Sequence, residues 1–328
     1  MTVYLHIGLH KTGTSSLQAW LKKNKPALQR LGYLYPRTGW TSGGHHNLAY
    51  ELLGRKRFSE APGRLAELEA EIASSPNAIL SSEEFEFLEL SDVRRLKAAL
   101  GEREARIVVY LRRQDALVAS SYAQQVKMGA RMKPFSDYLR ASLYNPRFDF
   151  AQLLGRWAGV FGPDSLNVGV VSAETAGPRL FDDFLGRVRL PEAADLPRPP
   201  KRLNESPSAV EIEIIRRATD RARRPGHPPR LQDMVQLQQI VADLVAKTPS
   251  LRGSGRLALS HGEYRRIAAR FAPGNARAAG AVSSKVQRKA LAFGPYEPAD
   301  GAPTEAAAVT RAVTKAFKAW DFAAAGDA

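Results

Sequence analysis

The chain is predicted to fold as an α/β protein: a three-layer sandwich with a central parallel sheet, helices on both faces and a helical carboxyl-terminal part. Three observations lead there. Short apolar runs around residues 3–7, 78–80, 106–111 and 166–171 alternate with longer stretches whose apolar residues recur at helical spacing, the order of strand–helix–strand units. The first run enters its helix through a glycine-containing loop, a junction typical of the carboxyl edge of a parallel sheet. A chain of 328 residues, 44% hydrophobic and 25% charged, can bury a substantial core.

The first strand is read over Val3 to Ile7, and Leu17, Trp20, Leu21, Leu28 and Leu31 repeat at helical spacing after it. The segment between them, His6-Ile7-Gly8-Leu9-His10-Lys11-Thr12-Gly13-Thr14-Ser15-Ser16, is P-loop-like: its glycines keep the G-x-x-x-x-G spacing. Thr14 stands where a nucleotide P-loop has lysine, however, and Lys11 comes three residues earlier, which argues against ATP or GTP. An anion is expected here. The first helical N–H groups lack partners, the helix dipole adds positive potential, and the hydroxyls of Thr12, Thr14, Ser15 and Ser16 add donors.

A second strand–helix junction follows at Arg106 to Leu111 and Arg112 to Tyr122. Arg112 and Ser120, two helical turns apart, can meet at one site; Arg113 and Ser121 have the same spacing. Later helices are read over Phe135 to Leu143, Phe150 to Phe161, Leu180 to Val188, Ala209 to Ala222 and Leu231 to Val245, with a strand over Leu166 to Val171 and a helix cap at Ser260. A short helix carrying Val313, Phe317 and Trp320 ends the chain. These elements suggest a domain over 1–290, with its core at 1–190 and a mostly helical extension at 200–290. An Ala- and Pro-rich tail is expected over 291–328.

The stretch from His6 to Gln18 resembles the 5′-phosphosulfate loop of the sulfotransferase family, and "RWAGVFGPDSLNVGVV", "LFDDFLGRV" and "KRLNESPS" resemble later segments of its members. The resemblance implies 3′-phosphoadenosine-5′-phosphosulfate (PAPS) as donor and no metal. It assigns Lys11 the charge on the phosphate–sulfate bridge, Thr12, Gly13, Thr14 and Ser15 the donor's 5′-phosphate, and Arg112 with Ser120, or Arg113 with Ser121, its 3′-phosphate; His10, beside the loop, is a further candidate for contact with donor or acceptor. Transfer to a hydroxyl also needs a base. The family uses histidine or glutamate, and this chain offers His46, then Glu83, then His45. The histidines follow Gly43-Gly44, and Glu83 follows the apolar run at 78–80.

A formal charge of +15 suits an anionic donor and an acidic acceptor, with a carbohydrate or glycolipid hydroxyl expected. Nucleic acid is not expected, because Arg216, Arg217, Arg221, Arg223, Arg224 and Arg230 carry no interleaved aromatic residue and read as a solvated helix face. His6 reads as a packed core residue, and His227 and His261 have no ligand partners. The absence of cysteine excludes disulfides, and neither a leader nor a membrane-length apolar run is visible, so a cytoplasmic location is the expectation. Two other readings remain at this stage: a P-loop-type nucleotide kinase and a non-catalytic protein that binds the desulfated nucleotide or polyanions. Acceptor and oligomeric state are not legible.

Overall fold

The computed structural model describes residues 1–130, 133–172, 175–199, 207–223, 229–252, 255–297 and 306–320. Arg224, His227 and most of "KRLNESPS" lie outside them. In chain order the first elements are β1 (Thr2–His6), α1 (Thr14–Lys23), α2 (Lys25–Arg30), β2 (Tyr33–Leu34), α3 (His46–Leu52), α4 (Leu65–Ile72), β3 (Asn77–Ser81) and α5 (Leu90–Leu100). β4 (Glu104–Leu111), α6 (Gln114–Lys127), α7 (Phe135–Ser142), α8 (Phe150–Phe161), β5 (Leu166–Val170) and α9 (Pro178–Arg187) follow. The chain continues through α10 (Ala209–Ala222), α11 (Leu231–Lys247), α12 (His261–Ala279), α13 (Lys285–Leu291) and α14 (Ala306–Ala319).

The fold is α/β, with five parallel strands in the order β2-β3-β1-β4-β5. β1 lies at the centre, where His6 pairs with Ser81 of β3 on one side and Val108 of β4 on the other. The loops leaving β1, β3 and β4 therefore emerge side by side at the carboxyl edge. Both faces are covered, which is why β4 reads as the unbroken apolar run Ile107-Val108-Val109-Tyr110-Leu111, all fully buried. Tyr4, Ile79, Val108 and Tyr110 pack under Leu17, Trp20 and Leu21 of α1, Leu28 of α2 and Phe181 and Phe184 of α9. On the opposite side α8 lies against β4 and β5, and α5 against α8. The helical spacing that runs from Leu17 to Leu31 is divided at Asn24, whose side-chain amide donates to the Trp20 carbonyl at 3.0 Å just before Pro26.

The described residues form two compact units. The first, Met1–Arg113, Asn145–Lys201 and Phe271–Phe293, contains the whole sheet. The second, Gln114–Tyr144, Arg202–Arg270 and Gly294–Ala328, is helical. There α10 starts at Ser208, in a reciprocal capping box with Glu211, and packs against α11 and α14. Ala308, Val309, Ala312, Val313 and Ala316 of α14 are buried and the Trp320 indole donates to the Asp233 carbonyl at 2.9 Å, so part of the segment expected as a tail belongs to this unit's core. Of the arginines read as a solvated face, Arg221, Arg223 and Arg230 are exposed, and the packing of α14 on α10 changes the picture only in part. Arg216 and Arg217 are half-buried, Arg216 pairs with Glu213 at 2.6 Å and Arg221 stacks on Phe317. Among the described residues no helix is long and apolar enough to cross a membrane.

Candidate active site

The loop after β1 is held in its shape from within. Gly8 and Gly13 have φ of 89° and 91°, and Lys11 has 68°, a left-handed conformation that a side chain adopts only where its surroundings impose it. The imposing contacts are the Thr12 and Thr14 hydroxyls, which donate to the Leu9 carbonyl at 2.6 and 3.1 Å, and Arg112 Nη1, which donates to the Lys11 carbonyl at 3.1 Å. The two threonine hydroxyl protons are thus directed into the loop, and their residues are left with backbone N–H groups to offer an anion. Gly13 caps α1 without a side chain, and α1 has no acidic residue in its first turn. The positive φ of Gly13 disfavours the Ser or Asp that ordinarily caps a helix, and a Cβ there would also push into Leu180 Cδ2 at 2.4 Å. Uncapped, the helix presents its first N–H groups and positive dipole end beside Lys11, with Ser15 exposed.

The loop after β3 touches this one. A Cβ on Gly8 would stand 2.8 Å from Glu83 Cα, so only glycine lets the two backbones meet. Gln18 stitches them further: its buried amide donates to Glu83 Oε2 at 2.8 Å and to Ser81 Oγ at 3.3 Å. His45 and His46 stand at the start of α3 and have different fates. The Ser81 N–H donates to His45 Nδ1 at 3.0 Å, and His45 Nε2 donates to the Pro36 carbonyl at 3.1 Å. Both ring nitrogens are occupied, and full burial lowers the pKa to about 3. His45 is a neutral structural pin. His46 Nδ1 lies 2.9 Å from Ser82 Oγ and 3.9 Å from Glu83 Oε2. Burial lowers its pKa, against the opposing charges of Glu83 and Glu84.

His10 is anchored by Glu86, whose carboxylate lies 2.8 Å from His10 Nδ1 and accepts the His10 backbone N–H at 3.2 Å. Arg147 Nε sits 2.8 Å from the same carboxylate, and Glu84 lies 3.9 Å from His10 Nε2. Burial disfavours the imidazolium, but the hydrogen bond and charge of Glu86 outweigh it and raise the pKa. His10 beside Lys11 thus favours its protonated form more than a free imidazole does. His6 packs as expected between Tyr110 and Phe184, with Nδ1 2.9 Å from Ser81 Oγ; burial brings its pKa to about 4.

Arg112 directly follows β4 in the sheet unit, half-exposed. Arg113 turns to the Ala292 carbonyl at 3.2 Å and the Phe293 ring. Ser120 and Ser121 belong to α6 of the helical unit, where Ser120 is half-exposed and Ser121 is buried with its hydroxyl unpartnered. Sequence reasoning missed Gln18, Glu86 and Arg147. The one signal for Gln18 was its place one helical turn after Thr14; Glu86 and Arg147 are brought to His10 only by the tertiary fold.

The sheet unit therefore combines an uncapped helix terminus, Lys11, the His10 imidazole with its raised pKa, the His46 imidazole with its lowered pKa and the Glu83 carboxylate on adjoining loops. Such a set can bind an anionic group and accept a proton from a nucleophile beside it. Among the described residues no group of three or more His, Cys, Asp or Glu side chains is arranged to hold a metal ion.

No family model and no curated protein matches the chain. Among solved structures, a sulfotransferase from Alicyclobacillus acidocaldarius is 15% identical, with a TM-score of 0.42, over 87% of this chain and 98% of its own. At that similarity no residue role is carried over.

Proposed function

We propose that this chain is a sulfotransferase that moves a sulfuryl group from PAPS to a hydroxyl of a carbohydrate or glycolipid. The observation that carries this reading is the uncapped start of α1, with Lys11 held at φ 68° before Gly13 rather than after it. A nucleotide kinase needs its lysine one position beyond the second glycine. In the proposed reaction the acceptor oxygen bonds to sulfur as the bond from sulfur to the 5′-phosphate oxygen breaks. The electron pair leaves on that oxygen, where Lys11, His10 and the helix terminus offset the new charge. Arg112, with its planar set of donors, takes the 3′-phosphate.

The acceptor proton goes to His46 or Glu83. For His46, Nδ1–H donates to Ser82 Oγ and Nε2 receives the proton, while Glu83 favours the resulting imidazolium. Because burial lowers the His46 pKa, the acid limb of kcat/KM is expected below pH 6.5. Glu83→Gln removes a charge that raises this pKa and is expected to shift the limb to lower pH if His46 is the base. Loss of the limb in Glu83→Gln would assign the proton to Glu83 instead.

The direct test is calorimetric titration with 3′-phosphoadenosine-5′-phosphate without magnesium, beside ATP. Micromolar binding of the former, weakened in Arg112→Ala and absent for ATP, is the expected result. Preference for ATP with magnesium would overturn the proposal.

A further inference from the structure

We infer that a cationic cavity beside β2, in the sheet unit, binds an anionic sugar unit of the acceptor; the word acceptor rests on the sulfotransferase reading, the ligand class does not. The cavity, of about 440 Å³, is lined by Lys25, Gln29, Tyr35, Arg37, Glu71 and Ser74 among others. Lys22 Nζ sits 4.9 Å from the centre of the Trp40 ring, and Lys25 Nζ lies 5.4 and 5.6 Å from those of Tyr35 and Trp40. The rings hold the ammonium groups in place before any ligand arrives.

The positive charge there is under-compensated. Glu71 is the nearby carboxylate, and its oxygens are engaged at 2.8 Å by the backbone N–H groups of Arg37 and Thr38. Among the described residues Lys22, Lys25 and Arg37 form no ion pair. Burial lowers the Lys25 pKa most, and the crowding of Lys25 by the charges of Arg37 and Lys22 adds to it in spite of Glu71. An anion would relieve that crowding.

The size and position narrow the ligand. A volume of about 440 Å³ lies in the range of small-molecule sites and far exceeds a lone sulfate or phosphate. Gln29 and Ser74 add neutral hydrogen-bonding groups suited to hydroxyls. Tyr35 joins the cavity to the reacting side of the unit. Its ring meets that of His45 edge-on at 4.7 Å, and its hydroxyl donates to the Gly43 carbonyl at 2.9 Å. An acidic unit bound here is one side chain away from the turn that carries His46.

The test is equilibrium titration of the full chain, without donor, with a monosulfated uronic-acid disaccharide, its neutral counterpart and inorganic sulfate, followed by the Trp40 indole N–H resonance. The charged disaccharide is expected to shift that resonance and to bind about tenfold more weakly to Lys25→Gln/Arg37→Gln, with unchanged affinity in Lys11→Ala. The neutral disaccharide should not bind. Equal binding by wild type and the double variant, or sulfate binding as tight as the disaccharide, would overturn the inference. Disaccharide binding without nucleotide binding would remove the transferase reading alone; nucleotide binding without disaccharide binding would remove the cavity's role alone.

Discussion

Lys11→Ala is expected to lower the turnover of the proposed sulfuryl transfer by about a thousandfold while the protein stays folded. The large effect follows from timing. Charge on the leaving phosphate oxygen appears as the bond to sulfur breaks, so a cation fixed at that point lowers the transition state more than the bound donor. The small effect on folding follows from what shapes the loop. Thr12 and Thr14 grip the Leu9 carbonyl, and Arg112 grips the Lys11 backbone carbonyl, a contact that survives removal of the side chain. Lys11 is also only half-buried. Single-turnover kinetics with preloaded donor, paired with a thermal melt, measures both. An unchanged rate in the variant would take Lys11 out of the chemistry.

Acid is expected to unfold this protein early, beginning below pH 6.5. His6 and His45 are neutral in the fold, with pKa values lowered to about 4 and about 3, whereas both would titrate near 6.5 in the unfolded chain. Between those limits the unfolded state binds more protons, so stability falls as pH falls through 6.5 and stops changing only below the folded values. Both rings are fully buried, and the combined loss is several kcal/mol, on the order of the whole stability of an ordinary domain. His46 adds to this trend, while His10, whose pKa is raised, works against it. Urea midpoints measured from pH 7.5 to 4 give the slope. His6→Phe, placed between Tyr110 and Phe184, should flatten it; an identical slope in that variant would show that His6 contributes no linkage.

The sheet and the anion loop were legible because their signals are local. β1, β3, β4 and β5 are apolar runs bounded by turns, and the loop after β1 carries its glycines and lysine within a few residues. α4, α5 and α13 were not read. α4 and α5 start without a Ser or Thr cap, on Arg64 and Glu89, and α13 is seven residues long. β2 has two residues and acquires its strand character only from pairing with β3. At the site, the sequence placed His46 ahead of Glu83 and Glu83 ahead of His45 as candidate base, without a physical contact to separate the two histidines. What separates them is tertiary: the Ser81 backbone and the Pro36 carbonyl claim both nitrogens of one ring and neither of the other. The Glu86 clamp on His10 joins residues 76 apart and was likewise invisible.

The place of β1 between β3 and β4 also bears on how the protein acquires its site. The His6–Ser81 contact spans 75 residues and the Arg112–Lys11 contact spans 101, so neither loop can take its working shape until distant strands have docked in parallel. Such pairing carries a large loop-closure cost and is slow to form. The anion loop and the proposed nucleotide affinity are therefore expected late in folding, gained with the closing of the sheet and lost with its first opening.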